Sequence, residues 1–222
     1  MVLIGVIAFH FEHQVAPPSN FGSNVIHAPL RGAYFPPVPD TAPGVQVFTG
    51  NASDNHVAFS SPGGLTTWTF QCRCRSNFAV TVRNALGNII DVPVNEIGHT
   101  RLAATANYLK GSYTFDVLAQ GKWKIRLIQE SALPLVTTPF KYFSSGTSVL
   151  GPVPASSSNV VVDYIAAIGT YTTVQIEDAK NSSQDYFVFA DQSGSKTASL
   201  PSPPNPFFLV VKSSGIWYVK VS

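Results

Sequence analysis

Charge is what this chain has least of. Only 12% of its 222 residues are charged, about half the usual share, and 14 basic against 12 acidic residues leave a net charge of +2. So small a balance gives no electrostatic footprint for nucleic acid and no basic face for an anionic membrane. Long apolar runs are missing too. The apolar opening, Val2 to Phe9, spans eight residues, far short of the roughly 20 that cross a bilayer. It has no basic flank and no small-x-small cleavage pattern, so it reads as a buried strand and not as a secretory leader.

Cysteine is nearly absent: Cys72 and Cys74 flank Arg73. Strand alternation puts both on one face, a disulfide between i and i+2 is geometrically poor, and no further metal ligand lies nearby in sequence. Two buried free thiols are expected, which suits a reducing cytoplasm. The signatures HExxH, GxSxG and the P-loop are also absent. The five histidines, His10, His13, His27, His56 and His99, are scattered. His10 and His13, three apart, fall on opposite faces of a strand. The expectation is a chain that is not an enzyme, with no catalytic residue, metal or cofactor, and no nucleic acid or membrane partner.

No stretch keeps a 3.6-residue apolar period. What is present instead is turn chemistry: 17 prolines and 16 glycines punctuate short runs rich in Val, Thr, Phe and Tyr, the composition of strands and turns. Within it lies a repeat. Tyr113-Thr-Phe-Asp-Val-Leu-Ala-Gln-Gly121-Lys-Trp123-Lys-Ile-Arg-Leu127 aligns without gaps on Phe207-Phe-Leu-Val-Val-Lys-Ser-Ser-Gly215-Ile-Trp217-Tyr-Val-Lys-Val221. The offset of 94 residues (217 − 123) suits one compact β-unit copied in tandem.

Three segments follow. Residues 1–44 hold seven of the prolines, which remove donors and push their neighbours toward extended conformations. They form an extended Pro-rich arm after the opening strand, yet Phe21, Val25, Ile26, Leu30, Tyr34 and Phe35 give it more apolar anchors than a solvated linker needs. Residues 45–130 read as a first β-sandwich, with eight candidate strands including Thr66–Cys74, Phe78–Arg83, Ile89–Val94 and Arg101–Ala106 between glycine turns. Residues 131–222 read as a connector and a shorter copy. There Thr170–Ile176 matches Thr66–Cys72, and the hairpin of Ile89 to Ala106 is reduced to 196–200. Trp68, Trp123 and Trp217 are the expected structural core, each tryptophan of the repeat closing its own unit. The fold class is therefore all-β: two tandem antiparallel β-sandwich domains, immunoglobulin-like or jelly-roll, preceded by the arm.

Phe78-Ala-Val-Thr-Val-Arg-Asn-Ala-Leu-Gly-Asn88, Val94-Asn-Glu-Ile-Gly98 and Gly111-Ser-Tyr-Thr-Phe-Asp-Val-Leu-Ala-Gln-Gly-Lys-Trp123 carry a resemblance. This stretch resembles a β-sandwich module widespread in bacterial and phage surface proteins. The resemblance implies an accessory module for adhesion or display and supplies no catalytic residue. The function expected is a structural, interaction-making protein of a virion, a capsid decoration or tail-associated protein of a tailed phage assembled in the host cytoplasm. It binds other protein subunits, coat, tail or its own copies, in an oligomer or larger assembly. Phe21, Ile26, Leu30, Tyr34 and Phe35 of the arm are the partner-binding residues. The alternatives are a secreted or cell-surface glycan-binding module, with exposed aromatics as stacking groups, and an extracellular filament subunit. The equivalent places of Trp68 and Tyr171 in the repeat argue for a shared core role, and Tyr142 and Phe143 serve inter-domain packing or a partner.

Overall fold

The computed structural model describes residues 26–27, 34–35, 37–129, 133, 135–154, 159–165, 171–178, 184–190, 194–199, 206–213 and 216–222. Among them there is no helix, and every ladder is antiparallel apart from two short parallel bridges. Two short strands come first, β1 (Ile26–His27) and β2 (Tyr34–Phe35). The N-terminal half then lays down β3 (Val45–Gly50), β4 (Asp54–Ser61), β5 (Gly64–Arg83), β6 (Ile89–Tyr108), β7 (Gly111–Leu118) and β8 (Trp123–Gln129). They form one sheet in the order β3-β8-β5-β7-β4, with β6 along β5.

The sheet is folded over on itself. β5 and β6 are each 20 residues long. The first part of β5 pairs with β8, from Thr66 opposite Gln129 to Cys72 opposite Trp123. Its second part pairs with β7, from Ala79 opposite Leu118 to Arg83 opposite Thr114. Between Arg73 and Asn77 the register with β6 slips, as it does where strands turn a corner from one layer to the other. Rings from the two sides then meet: Phe48 and Phe115 have centroids 5.1 Å apart, Phe59 and Trp68 5.4 Å. Alternation along β5 buries Trp68, Phe70, Cys72 and Cys74 before the corner and Phe78, Val80 and Val82 after it, all in one core.

Four strands expected from the sequence are thus two. Arg75-Ser-Asn77 holds neither proline nor glycine, and Gly98, at φ 84°, bends β6 without ending it. The free thiols expected are not there either, because Cys72 and Cys74 are joined in a disulfide across Arg73. At the corner their Cα atoms come to 5.2 Å, closer than the roughly 6.6 Å of two steps along a regular strand and well inside the span a disulfide bridges. The Arg73 N–H donates to the Lys122 carbonyl at 2.8 Å, and a Cβ on Gly121 would overlap the Arg73 carbonyl oxygen. Only glycine lets the β7–β8 turn sit this close to the corner.

The C-terminal half comprises β9 (Phe140–Ser145), β10 (Ser148–Val153), β11 (Asn159–Ile165), β12 (Tyr171–Asp178), β13 (Gln184–Ala190), β14 (Gly194–Ser199), β15 (Phe207–Ser213) and β16 (Ile216–Val221). It forms two sheets, in the orders β1-β9-β16-β11-β14 and β13-β12-β15-β10-β2. Tyr142, Trp217 and Val219 from the first meet Leu150, Val174, Leu209 and Val211 from the second in a common core.

Registers in the two halves coincide. Gly50 faces Trp123 as Ser144 faces Trp217, and Val80 faces Val117 as Val174 faces Val211; each residue and its counterpart are 94 positions apart (144 − 50, 174 − 80). The Trp123 indole N–H donates to the Ala52 carbonyl at 2.7 Å, and that of Trp217 to the Gly146 carbonyl at 2.9 Å, the same offset again. By register β11 and β12 answer the first and second parts of β5, while β13 and β14 answer the first and second parts of β6. Thr172–Ile176 therefore corresponds to Phe78–Val82 and not to the Trp68 stretch. The hairpin taken as shortened is present in two pieces.

A third core joins the halves. Val38, Leu65, Ala103 and Ile128 pack there with Leu133, Val149, Phe208 and Val210, and the Ala103 N–H donates to the Thr147 carbonyl at 3.4 Å.

Candidate interaction site

The arm meets its own chain through main-chain pairing. β1 lies parallel to β9, with Ile26 opposite Tyr142 and His27 opposite Phe143. β2 lies parallel to β10, with Tyr34 opposite Val149 and Phe35 opposite Leu150. These are the outer edges of the two sheets that share the Trp217 core. An edge strand presents a row of unpaired N–H and C=O groups, which any extended segment can satisfy whatever its side chains. β1 and β2 thus add two residues each to the outer edges of both sheets on the side formed by β9 and β10.

Beyond β2 the arm is held by side chains. Val38 is buried in the core between the halves. The Asp40 carboxylate accepts from Lys124 Nζ and is ion-paired with Arg126, whose Nε lies 2.9 Å from it, while Arg126 Nη2 donates to the Val38 carbonyl. Lys124 and Arg126 stand on the outer face of β8, opposite the buried Ile125 and Leu127. The hydrogen bond from Lys124, helped by the charges of Lys124 and Arg126 and opposed by partial burial, holds the Asp40 carboxyl below the ordinary carboxylate range. A turn with Ala42 N–H on the Pro39 carbonyl and Val45 N–H on the Ala42 carbonyl, both 3.1 Å, leads into β3.

Of the partner-binding residues read from the sequence, Ile26, Tyr34 and Phe35 fall in these two bridges. Phe21 and Leu30 lie outside the described residues. Trp68 and Trp217 are 0% exposed and Trp123 is 4% exposed. Tyr142 is also buried, in the core around Trp217. Among the described residues no three His, Cys, Asp or Glu side chains converge as a metal site.

On the equivalent side of the N-terminal half, β4 carries devices of its own. By register, the β9 residues that meet β1 correspond to Phe48 and Thr49, and the β10 residues that meet β2 to His56 and Val57. His56 has φ 59°, a left-handed conformation costly for a residue with a side chain, at a register slip in β4. Its N–H donates to Asp116 Oδ1 at 2.9 Å, and Arg83 Nε donates to Asp116 Oδ2 at 2.7 Å. Nearby, the Gln46 amide takes both main-chain groups of Ser60: its Nε2 donates to the carbonyl at 2.8 Å and its Oε1 accepts from the N–H at 3.4 Å. One glutamine side chain imitates a paired strand. Nothing in the sequence marked Gln46, His56 or Asp40, each of which reads as an ordinary polar residue of a strand or turn.

No family model matches the sequence, and no curated protein matches it. Among solved structures, the PBSX exported protein XepA aligns over 84% of this chain and 89% of its own, with 9% identity and a TM-score of 0.26. The dimeric latent PorU from Porphyromonas gingivalis aligns over 82% of this chain and 18% of its own, with 12% identity and a TM-score of 0.21. Superpositions this loose carry no argument about fold or function.

Proposed function

We propose that this chain is a non-catalytic structural protein of a virion, a capsid decoration or tail-associated component. Two tandem sandwiches serve as rigid mounts, and the N-terminal arm grips neighbouring subunits. The observation behind this reading is that the arm engages sheet edges through its backbone, in two bridges of two residues each. Contacts so short and so independent of side chains transfer readily to an edge on another subunit. The low charge and the repeat motivate the setting. Removing residues 1–36 leaves Val38 and Asp40 in place. Occupancy on particles, measured by quantitative gel after sedimentation, is expected to fall by about tenfold or more, the effect of losing about 1.4 kcal/mol. Unchanged occupancy overturns the gripping role.

A further inference from the structure

We infer that the partner gripped by the arm is a second copy of this chain, and that β1 and β2 of one copy add to β9 and β10 of the next. This rests on the gripping role proposed above and names its partner and acceptor. The occupant is a segment of the chain itself, because residues 26–27 and 34–35 sit on these edges within one chain. The same bonds form when the segment arrives from a neighbour, so exchange changes the connection and not the contacts. The connection favours it. Only Pro36 and Pro37 lie between β2 and the buried Val38, and short hinges of this kind are where segments exchange between copies.

The edge is also selective. In the N-terminal half, the position that corresponds to the β2 site is bulged, with the His56 N–H on Asp116, and farther along β4 Gln46 occupies Ser60, as bulges and side-chain caps do where an edge must stay unpaired. The β10 edge, which carries β2, is therefore the one of this pair suited to an incoming strand.

Cross-linking reads this directly. Cys72 and Cys74 are bonded to each other, so introduced cysteines are the reactive ones. Full-length His27→Cys and Phe143→Cys chains, co-expressed with different tags and oxidised, place cysteines on the partners paired in the β1–β9 register. The expected result is a shift on a non-reducing gel from the mass of one chain to that of two, with both tags in the band. His27→Cys with Thr49→Cys, the matching position on β3, is expected to give no such band. If the first pair gives no heterodimer while one chain carrying both cysteines closes internally, the arm stays at home and self-exchange is overturned. If neither closes, the edge does not hold the arm, and the inference falls as well. A heterodimer through Thr49→Cys overturns the selectivity. A failed exchange with lost particle occupancy for the 1–36 deletion still leaves a gripping arm with a different partner, so the two readings fail separately.

Discussion

On the side formed by β3 and β4, the N-terminal half caps Ser60 with the Gln46 amide and kinks at His56, held by Asp116 and Arg83. The C-terminal half closes the corresponding side with residues from outside its own run, β1 and β2. A second contrast accompanies this one. The corner-turning strands are continuous in the N-terminal half, where β5 and β6 run 20 residues each, and separate in the C-terminal half, where β11, β12, β13 and β14 stand for them. One plan of pairing thus yields a half that completes itself and a half that borrows.

The strongest test of that contrast is to remove each tryptophan anchor. Trp123→Ala and Trp217→Ala are each expected to cost about 3–5 kcal/mol, through lost burial and the cavity left behind. Phe208 and Val210 pack with Leu65, Ala103 and Ile128, so calorimetry should show both halves losing stability in either variant. A second endotherm left where it was would show that the halves are independent. Next comes the pair Gly50 and Ser144, matched in register. A Cβ on Gly50 would overlap the Trp123 ring, whereas Ser144 carries one beside Trp217. Gly50→Ser should cost about 1–3 kcal/mol by overpacking, measured by urea unfolding, and Ser144→Gly much less; equal costs would break the comparison.

A smaller effect is expected at the edge device. Asp116→Ala leaves the His56 N–H and Arg83 without their acceptor, a loss of about 1–3 kcal/mol, and should release the β4 edge so that light scattering detects self-association. Smallest is the effect of pH. Hydrogen bonds from Arg83 and from the His56 backbone, with their charges, hold the Asp116 carboxyl below its ordinary value, and Lys124 does the same for Asp40. A depressed folded pKa means stability present above the unfolded value near 3.8 and lost as pH falls through the folded one. Glu177 has the opposite sign. Burial raises its pKa above 4.5, against a hydrogen bond from Thr105 and the charge of Lys212. Its folded form holds the proton longer, so stability falls as pH rises from 4.5 through the raised value. Glu177→Gln should remove that fall and leave the acid loss from Asp40 and Asp116 intact, as read from melting temperature against pH.

The all-strand character and the offset of 94 were legible because aromatic, glycine and tryptophan spacing survives in both halves. Burial of Trp68, Phe70, Cys72 and Cys74 on one face followed from simple alternation. The corner was not legible, since Arg73 to Asn77 contains no residue that ends a strand, and a register slip leaves no mark in composition. That silence also misaligned the middle of the repeat: Thr170–Ile176 resembles the Trp68 stretch in residue type, but its hydrogen-bond partners place it beyond the corner. The disulfide was dismissed on regular-strand geometry that the corner does not obey. In the arm, prolines and apolar anchors drew attention, yet two-residue bridges have no period to read. Gln46 and His56 act through single bonds to distant main chain, which a linear pattern does not encode.

The seating of Val38 and Asp40 has a mechanical consequence. Tension on the arm reaches β1 and then β2, each of which can peel away in turn, before it meets the carboxylate clasp on Lys124 and Arg126. The load is then taken at the seam between the halves, where one valine is wedged, and neither tryptophan-centred interior has to yield for the tether to lengthen.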